Sequence, residues 1–223
     1  MPTFFRDYFL YKIVHVEDSF IIVSKFPGVE FHGSNQLLSK LREDFSEVYG
    51  VHRLDKDTSG LMIFARSKPV QIELSSLFST KKVFKTYYAL SRLRPLKKQG
   101  SVKGDLIKAR NGSYRISRTF SNPAITKFKS TYHEALSLRL FMLYPMTGKT
   151  HQLRVTMKSL SAPILGDSRY GGEKSDRMYL ASYRLDFNLF DKQYTFTDDN
   201  FYGELLNSQM IDLIKGFSIK KGT

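Results

Sequence analysis

The sequence predicts an α+β protein in which helices flank a mixed, largely antiparallel central sheet. Short apolar and β-branched segments recur along the chain, helical patterns separate some of them without regular alternation, and neighbouring strands are close enough to pair as hairpins. The chain has 223 residues, of which 41% are hydrophobic and 25% charged, so a packed core can form. We expect a single domain over residues 1–223.

The N-terminal half contains three clear elements. Phe20–Lys25 (FIIVSK) is almost continuously apolar and is followed by Pro27-Gly28, which indicates a buried strand. Leu37–Asp44 has an apolar stripe of three leucines, which indicates a short helix with Ser34 as a candidate cap. Leu61–Ala65 (LMIFA) predicts a second apolar strand.

The later elements follow the same two patterns. Ser67 is a candidate N-cap for a helix whose apolar residues have the spacing of one buried face. Val83–Leu90 is rich in aromatic and β-branched residues, which indicates a strand. A further helix opens at Thr150, and Gly216 ends the last one. The remaining predicted elements are strands over Thr126–His133, Leu138–Tyr144 and Tyr179–Phe187 and the last helix over about Glu204–Lys215.

Positive charge is concentrated in one stretch of the chain. The formal net charge is +14, and residues 81–129 contain fourteen Lys and Arg but a single acid, Asp105. Such a field suits a polyanion because each neutralised phosphate releases bound counterions, although a solvated surface is the simpler alternative. Asn111-Gly112 lies between Leu106-Ile107 and Tyr114–Ile116, which favours a tight turn. We expect a protruding basic hairpin insertion near residues 97–122 that holds nucleic acid.

The composition excludes several kinds of site. The chain has no Cys, which excludes disulfides, zinc sites with thiolate ligands and a cysteine nucleophile. No apolar run approaches the length of a membrane span, and the first residues lack the pattern of a secretory leader. We therefore expect a cytoplasmic protein, with a monomer as the default assembly.

The densest polar cluster is His52–Gly60 (HRLDKDTSG), immediately before an apolar strand. An ordinary turn with side chain to backbone hydrogen bonds is the simplest interpretation. Asp55 and Asp57 also resemble the start of a calcium loop, but Arg66 stands where that loop needs a bidentate Glu, which excludes an EF-hand. A magnesium-dependent phosphotransferase, with Asp167 as a later acid, is a weaker alternative because the segment before Asp55 is a poor apolar strand.

The same cluster resembles a family signature. His-Arg-Leu-Asp-x-x-Thr-Ser-Gly is the pattern of the RluA-type RNA pseudouridine synthases, and His52–Gly60 matches it. Four further stretches resemble family motifs in the right order, over about residues 13–190. They are the first motif at Ile21–Gly28, the Lys-x-Tyr strand motif at Lys85–Tyr87, G[RK][TS]HQ[IL]RV at Gly148–Val155 and PIxGDxxYG at Pro163–Gly171. We expect a short form of the family without an N-terminal S4 domain.

Three departures from the family pattern accompany this resemblance. Lys149 stands where Arg is commoner, Ser24 and Phe26 alter the first motif, and Ala181 stands where many members have His. None of these positions is the catalytic carboxylate of the family, so we expect them to bear on RNA docking and not on the chemistry.

The resemblance implies a pseudouridine synthase fold and an enzyme that isomerises a uridine in transfer RNA, 23S ribosomal RNA or both. It implies that Asp55 is the catalytic carboxylate, either as the nucleophile or by stabilising the intermediate with the broken bond, and that Arg154 keeps it ionised. It also implies that Tyr87 stacks on the uracil and can take a proton from the sugar. The residues implied to contact the substrate are Arg53, Lys85, His151, Ile164 and Leu165. The reaction is redox neutral, so no cofactor and no metal is expected. A non-catalytic RNA-binding protein is the main alternative.

Overall fold

The computed structural model describes residues 10–32 and 36–219 of the chain. The strands are β1 Tyr11–Val16, β2 Phe20–Lys25, β3 Tyr49–Gly50, β4 Ser59–Ala65, β5 Phe84–Ser91, β6 Gln99–Gly104, β7 Leu106–Lys108, β8 Tyr114–Ile116, β9 Ala124–His133, β10 Leu138–Pro145, β11 Leu180–Leu189 and β12 Lys192–Thr197. The helices are α1 Leu37–Asp44, α2 Lys68–Ser79, α3 Gln152–Ser159 and α4 Ser208–Ile219, and short 3-10 turns lie at Arg110–Gly112 and Ser168–Tyr170.

Ten of these strands form one sheet. Its order is β1-β2-β4-β11-β5-β10-β9-β6, with β12 beside β11 and β3 beside β4. Every neighbouring pair is antiparallel except β4 and β11, which run parallel. The predicted α+β class with a largely antiparallel sheet is therefore confirmed.

The parallel contact between β4 and β11 determines where the functional loops meet. Ser59 pairs with Ala181 and Gly60 with Ser182, and Ser182 pairs with Tyr87 of β5 on its other side. Gly60 has a φ of +103°, and any side chain there would collide with the Ser182 backbone. The loop before β4 therefore lies at the start of β11, one strand away from Tyr87 of β5.

Alternate residues of the strands face different helices, as the period of a strand requires. In β2, Ile21 packs in the core cluster that includes α1 and α3, whereas Phe20 packs in the cluster that includes α2. In β5, Tyr87 belongs to the α1 and α3 cluster and Tyr88 to the cluster with α4. Helices thus cover both faces of the sheet, and the two neighbouring tyrosines point in opposite directions.

The predicted bounds of two helices were wrong. Helix α3 begins at Gln152, not Thr150, because His151 before it has a left-handed backbone with φ +56°. The last helix was predicted over Glu204–Lys215 but runs over Ser208–Ile219, and the Asn207 side chain accepts a hydrogen bond from the Met210 amide in its first turn. Gly216 lies inside it, since an interior glycine costs only about 1 kcal/mol relative to alanine. The candidate cap Ser34 lies outside the described residues.

The basic region predicted as one hairpin contains two structures. Strand β6 joins the main sheet through β9, whereas β7 and β8 form a separate two-stranded sheet. The turn of this hairpin has positive φ at both Asn111 and Gly112, as the Asn-Gly pair predicted. The hairpin packs against the protein, since the Tyr114 amide donates to the Tyr170 hydroxyl at 3.0 Å. Within the described ranges, every helix is too short or too polar to cross a bilayer.

Candidate active site

A cleft of about 710 Å³ opens where the loop before β4, the start of β5 and the start of α3 meet. Its walls also include residues 121–123, which precede β9, and Lys149, which precedes α3. Six of the eight predicted site residues line it, namely Asp55, Tyr87, Arg154, Arg53, Lys85 and His151. The fold thus brings together three of the sequence motifs that are far apart along the chain.

Asp55 lies in the loop between β3 and β4, and this loop is held by its own backbone. The Thr58 amide donates to the Asp55 carbonyl at 3.1 Å. The Asp55 side chain is 23% exposed, and its Oδ2 is 3.7 Å from Nη1 of Arg154 and 3.9 Å from Nε2 of His151. A carboxylate in this position faces the cleft with positive charge on one side.

Arg154 is held more closely by a second carboxylate, Asp167. Its Nε and Nη2 donate to the two Asp167 oxygens at 2.8 and 2.7 Å, and both side chains are buried. The Tyr170 ring lies 5.0 Å from the guanidinium carbon. Burial alone would lower the pKa of Arg154, but the hydrogen bonds and charge of Asp167, with a contribution from Asp55, raise it. Arg154 is therefore a fixed cation whose Nη1 faces Asp55.

His151 links α3 to the hairpin and to the 3-10 turn at Ser168–Tyr170. Its Nδ1 is 2.9 Å from the Tyr170 hydroxyl, and its ring meets those of Tyr114 and Tyr170 edge-on. Burial is the main cause that lowers the pKa of His151, and the positive charge of Arg154 adds to it. A neutral imidazole held on two sides is what this environment favours.

Tyr87 and Lys85 project from the same side of β5 into the cleft, because they are two residues apart on one strand. Burial raises the pKa of Tyr87 to about 12, and the nearby Asp55 contributes to this rise. The Tyr87 phenol is therefore a neutral, protonated group across the physiological pH range. Burial also lowers the pKa of Lys85.

Lys25 and His52 hold the loop that carries Asp55 through hydrogen bonds to β2 and β4. The Lys25 ammonium is fully buried and donates to the carbonyls of Phe26, Val29 and Lys56 at 2.8–3.0 Å, so it ties the residue after Asp55 to β2. The His52 ring accepts from the Ile63 amide at 3.1 Å and stacks on Phe78. These contacts give His52 a structural role.

Five of the eight predicted site residues line the cleft and are at least half-buried, namely Asp55, Lys85, Tyr87, His151 and Arg154. Arg53 is exposed at the mouth of the cleft. Ile164 and Leu165 are buried in the core and do not line the cleft, so the geometry gives no support to their predicted contact with the substrate. Sequence reasoning did not assign the partners of Arg154 and His151, which are Asp167 and Tyr170, although both lie in the quoted segment Pro163–Gly171.

Comparisons with known proteins show the family of the chain. The family model for RNA pseudouridylate synthase matches residues 19–159. An uncharacterized RNA pseudouridine synthase of Haemophilus influenzae is 48% identical over 185 residues, which cover 79% of this chain and 82% of that protein. A dual-specificity RNA pseudouridine synthase RluA of Vibrio vulnificus is 31% identical, over 79% of this chain and 77% of that protein.

More distant likeness points the same way. A ribosomal large subunit pseudouridine synthase C of Rickettsia bellii is 33% identical over 73% of this chain, and the match covers 57% of that protein's length. The structure of human RNA Pseudouridylate Synthase Domain Containing 1 superposes with a TM-score of 0.74 at 22% identity, over 96% of both chains, which shows the shared fold. The chain therefore belongs to the RNA pseudouridylate synthase family, whose enzymes isomerise uridine in RNA to pseudouridine.

Proposed function

We propose that Asp55 is the catalytic carboxylate with which this enzyme isomerises a uridine in RNA. The observation that carries the proposal is the position of Asp55 in the cleft, with Oδ2 3.7 Å from Nη1 of Arg154. Tyr87 lines the same cleft, and the Asp55 side chain is only partly exposed. A charged carboxylate that a bound base can shield from water is what the reaction requires.

The reaction breaks the bond between the ribose and N1 of uracil, turns the base, and rejoins the two through C5. Asp55 acts in it either as a nucleophile or by stabilising the intermediate with the broken bond. Both roles need a carboxylate in a site that excludes water, with a cation beside it. Arg154 supplies that cation without moving, because Asp167 already holds it.

The remaining cleft residues bind and position the substrate in this proposal. Tyr87 is buried and its phenol is protonated at neutral pH, so we assign it to stacking on the uracil and not to accepting a proton in its resting state. Lys85 and His151 also line the cleft, and Nε2 of His151 is 3.9 Å from Oδ2 of Asp55. Arg53 makes no hydrogen bond or ion pair with any residue that the structure describes, and so is available to a phosphate or to the space left by the extruded base.

The substrate in this proposal is a uridine in transfer RNA, 23S ribosomal RNA or both. A base inside folded RNA has to leave its stack to reach a recessed carboxylate, at a cost of a few kcal/mol. Two relatives support this choice, since the one in Rickettsia bellii is named for the large ribosomal subunit and the one in Vibrio vulnificus is named as a dual-specificity RNA enzyme. The basic residues near 97–122 would hold the RNA, and a cytoplasmic location follows from such a substrate.

Two other functions make different demands on the same site. A magnesium-dependent phosphotransferase would need Asp167 as a free acid, but both of its oxygens accept hydrogen bonds from Arg154. A non-catalytic RNA-binding protein would use the basic surface and would not need a carboxylate at position 55. The convergence of Asp55, Arg154 and Tyr87 in one cleft favours the synthase.

One assay separates the three functions. The protein is incubated with total RNA from a strain that lacks its gene, with and without EDTA, and pseudouridine is mapped by carbodiimide-blocked primer extension. We expect specific uridines to be converted equally under both conditions. Conversion that EDTA abolishes would point to a metal requirement, and binding without any conversion would reduce the protein to an RNA-binding role.

A further inference from the structure

Hydrogen bonds hold the loop between β8 and β9 in place at the rim of the cleft. The Asp105 carboxylate accepts hydrogen bonds from the Ser121 and Asn122 amides at 3.0 and 2.9 Å. Its backbone is tied to Ser117 and Thr119 by two further hydrogen bonds. A hydrogen bond from the Thr119 side chain, together with those from the Asn122 and Ser121 amides, lowers the pKa of Asp105, so this carboxylate is charged at neutral pH. The single acid of the basic stretch therefore holds this loop.

The base of the loop is fixed by close packing as well. Gly104, the last residue of β6, lies so near the Ser117 carbonyl that a side chain there would collide with the backbone. The loop then runs directly into the cleft wall, since Ser121, Asn122 and Pro123 line the same cleft as Asp55. Its shape is therefore set by hydrogen bonds and backbone packing at its base.

Phe120 lies in this loop, and most of its side chain is exposed to solvent. It is 57% exposed and belongs to none of the core clusters of the described residues. The ammonium of Lys103 lies 5.3 Å from the centre of its ring. An exposed aromatic ring on a rigid loop, beside a cation, is the arrangement that stacks on unpaired nucleobases in proteins that bind single-stranded RNA.

The position of Phe120 indicates which base it would meet. The residue after it begins the wall of the cleft that holds Asp55. A nucleotide next to a uridine bound in that cleft would have to cross the rim, and the loop that carries Phe120 forms part of this rim. The net positive charge of residues 81–129 provides an attractive field for the connecting phosphates.

We propose that Phe120, with Lys103, is a stacking platform for a nucleobase adjacent to the target uridine. This inference rests on the proposed function, because the adjacent base is brought to the rim by extrusion of the target. The platform reads the flat face of a base, so it contributes to affinity and to the choice of unpaired loop targets without selecting one base by hydrogen bonds.

The test is a mutant cycle between the protein and the RNA. The probe is a short RNA stem-loop with a single uridine in its loop, and its dissociation constant is measured by fluorescence anisotropy in the Asp55→Asn background, so that the RNA stays unmodified. Phe120→Ala is expected to weaken binding about tenfold, the typical effect of removing one ring that stacks on a base. Phe120→Trp is expected to retain binding. Phe190→Ala removes a ring that is 66% exposed in the turn between β11 and β12, outside the cleft wall, and is expected to change nothing.

The RNA half of the cycle identifies the contact. In the protein that retains Phe120, removing the base on one side of the uridine should weaken binding about tenfold. In the Phe120→Ala variant, the same change in the RNA should have almost no effect on binding. The platform is refuted if Phe120→Ala binds the intact RNA as tightly as Phe120 does, or if its deficit persists whichever adjacent base is removed. A failure of the proposed function would show instead in the conversion assay on total RNA, which uses none of these binding data.

Discussion

Arg154 is shared unequally between two carboxylates, and this inequality has a mechanistic consequence. Asp167 accepts two short hydrogen bonds from it, whereas Asp55 lies 3.7 Å away and accepts none. A guanidinium that is already held in place loses no freedom when the substrate binds. Asp55 can therefore face the substrate while its cation stays fixed behind it.

Asp167→Asn tests this arrangement. The variant removes one charge of a buried pair, which typically costs about 3 kcal/mol of the free energy of unfolding. It also frees Arg154 to move, so we expect turnover to fall about a hundredfold while the dissociation constant for RNA changes little. Denaturant unfolding, single-turnover kinetics and anisotropy measure the three quantities.

A matched control is Asp186→Asn, which breaks the bidentate pair with Arg184 on β11. That pair is partly exposed, so we expect less than about 1 kcal/mol of destabilisation and normal turnover. Equal turnover in the two variants would show that Asp167 does not position Arg154.

His52 predicts a specific dependence of stability on pH. Desolvation lowers the pKa of His52 to about 3, and the charge of Lys85 contributes. An unfolded histidine titrates near pH 6.5. Between pH 6.5 and about 3, His52 is therefore protonated in the unfolded chain and neutral in the folded chain. The contribution of His52 is complete above pH 6.5 and is lost as the pH falls, with a slope of up to about 1.4 kcal/mol per pH unit.

The variant His52→Gln should therefore flatten the stability profile over this acidic range, as measured by urea unfolding at successive pH values. His133→Gln is the control, because the His133 ring also accepts a backbone hydrogen bond, from the Leu136 amide, but in the turn after β9. If His52→Gln keeps the slope of the unsubstituted protein, the folded chain does not exclude a proton at His52.

The sequence motifs pointed to Asp55, Tyr87 and Arg154, which line one cleft, but not to the neighbours of these residues. A motif shows which residues adjoin along the chain, whereas the partners of a buried charge are set by packing between elements. Asp167 was therefore considered only as an acid of a rival site. Ile164 and Leu165 were expected to contact the substrate but lie in the core. Sequence alone does not show which way a loop residue points.

At the scale of elements, buried strands were predicted well and edge strands were missed. The uniformly buried strand β2 was predicted with its observed bounds, because a continuous apolar run is a strong signal. Strand β6 (QGSVKG) has two glycines and little apolar character, and only its hydrogen bonds to β9 make it a strand. Strands β1, β3 and β12 were also not predicted, since each depends on pairing with a distant segment that no local pattern reveals.

The basic hairpin of β7 and β8 offers a test at this scale. Lys108, Arg115 and Arg118 are exposed on or beside it. Replacing all three by Glu should weaken RNA binding and reduce the slope of log affinity against log salt by about one for each phosphate that the protein no longer neutralises. Anisotropy titrations over a range of salt concentrations measure both effects.

Two cations outside the basic stretch serve as the control. Lys12 of β1 and Lys68 at the start of α2 are exposed and do not line the cleft. Their replacement by Glu is expected to leave the salt slope nearly unchanged. A slope that responds no more to the hairpin substitutions than to these would remove the hairpin from the RNA interface.

At the scale of the whole molecule, the sheet topology explains why distant motifs converge. The strands β4 and β11 start side by side, and β5 lies next to β11, so the loop that carries Asp55 meets the strand that carries Tyr87. Helix α3 packs on the same side of the sheet and adds Arg154. Much of the chain between these segments serves to hold one carboxylate opposite one arginine.

The most direct test of this account replaces that carboxylate. Asp55→Asn keeps the shape of the side chain and removes its charge, so we expect pseudouridine formation, read by carbodiimide-blocked primer extension, to fall by about ten-thousandfold or more, while RNA binding is largely retained. Asp57→Asn, two residues further on and outside the cleft wall, is expected to remain active. Full conversion of uridine by the Asp55→Asn protein would contradict the central claim.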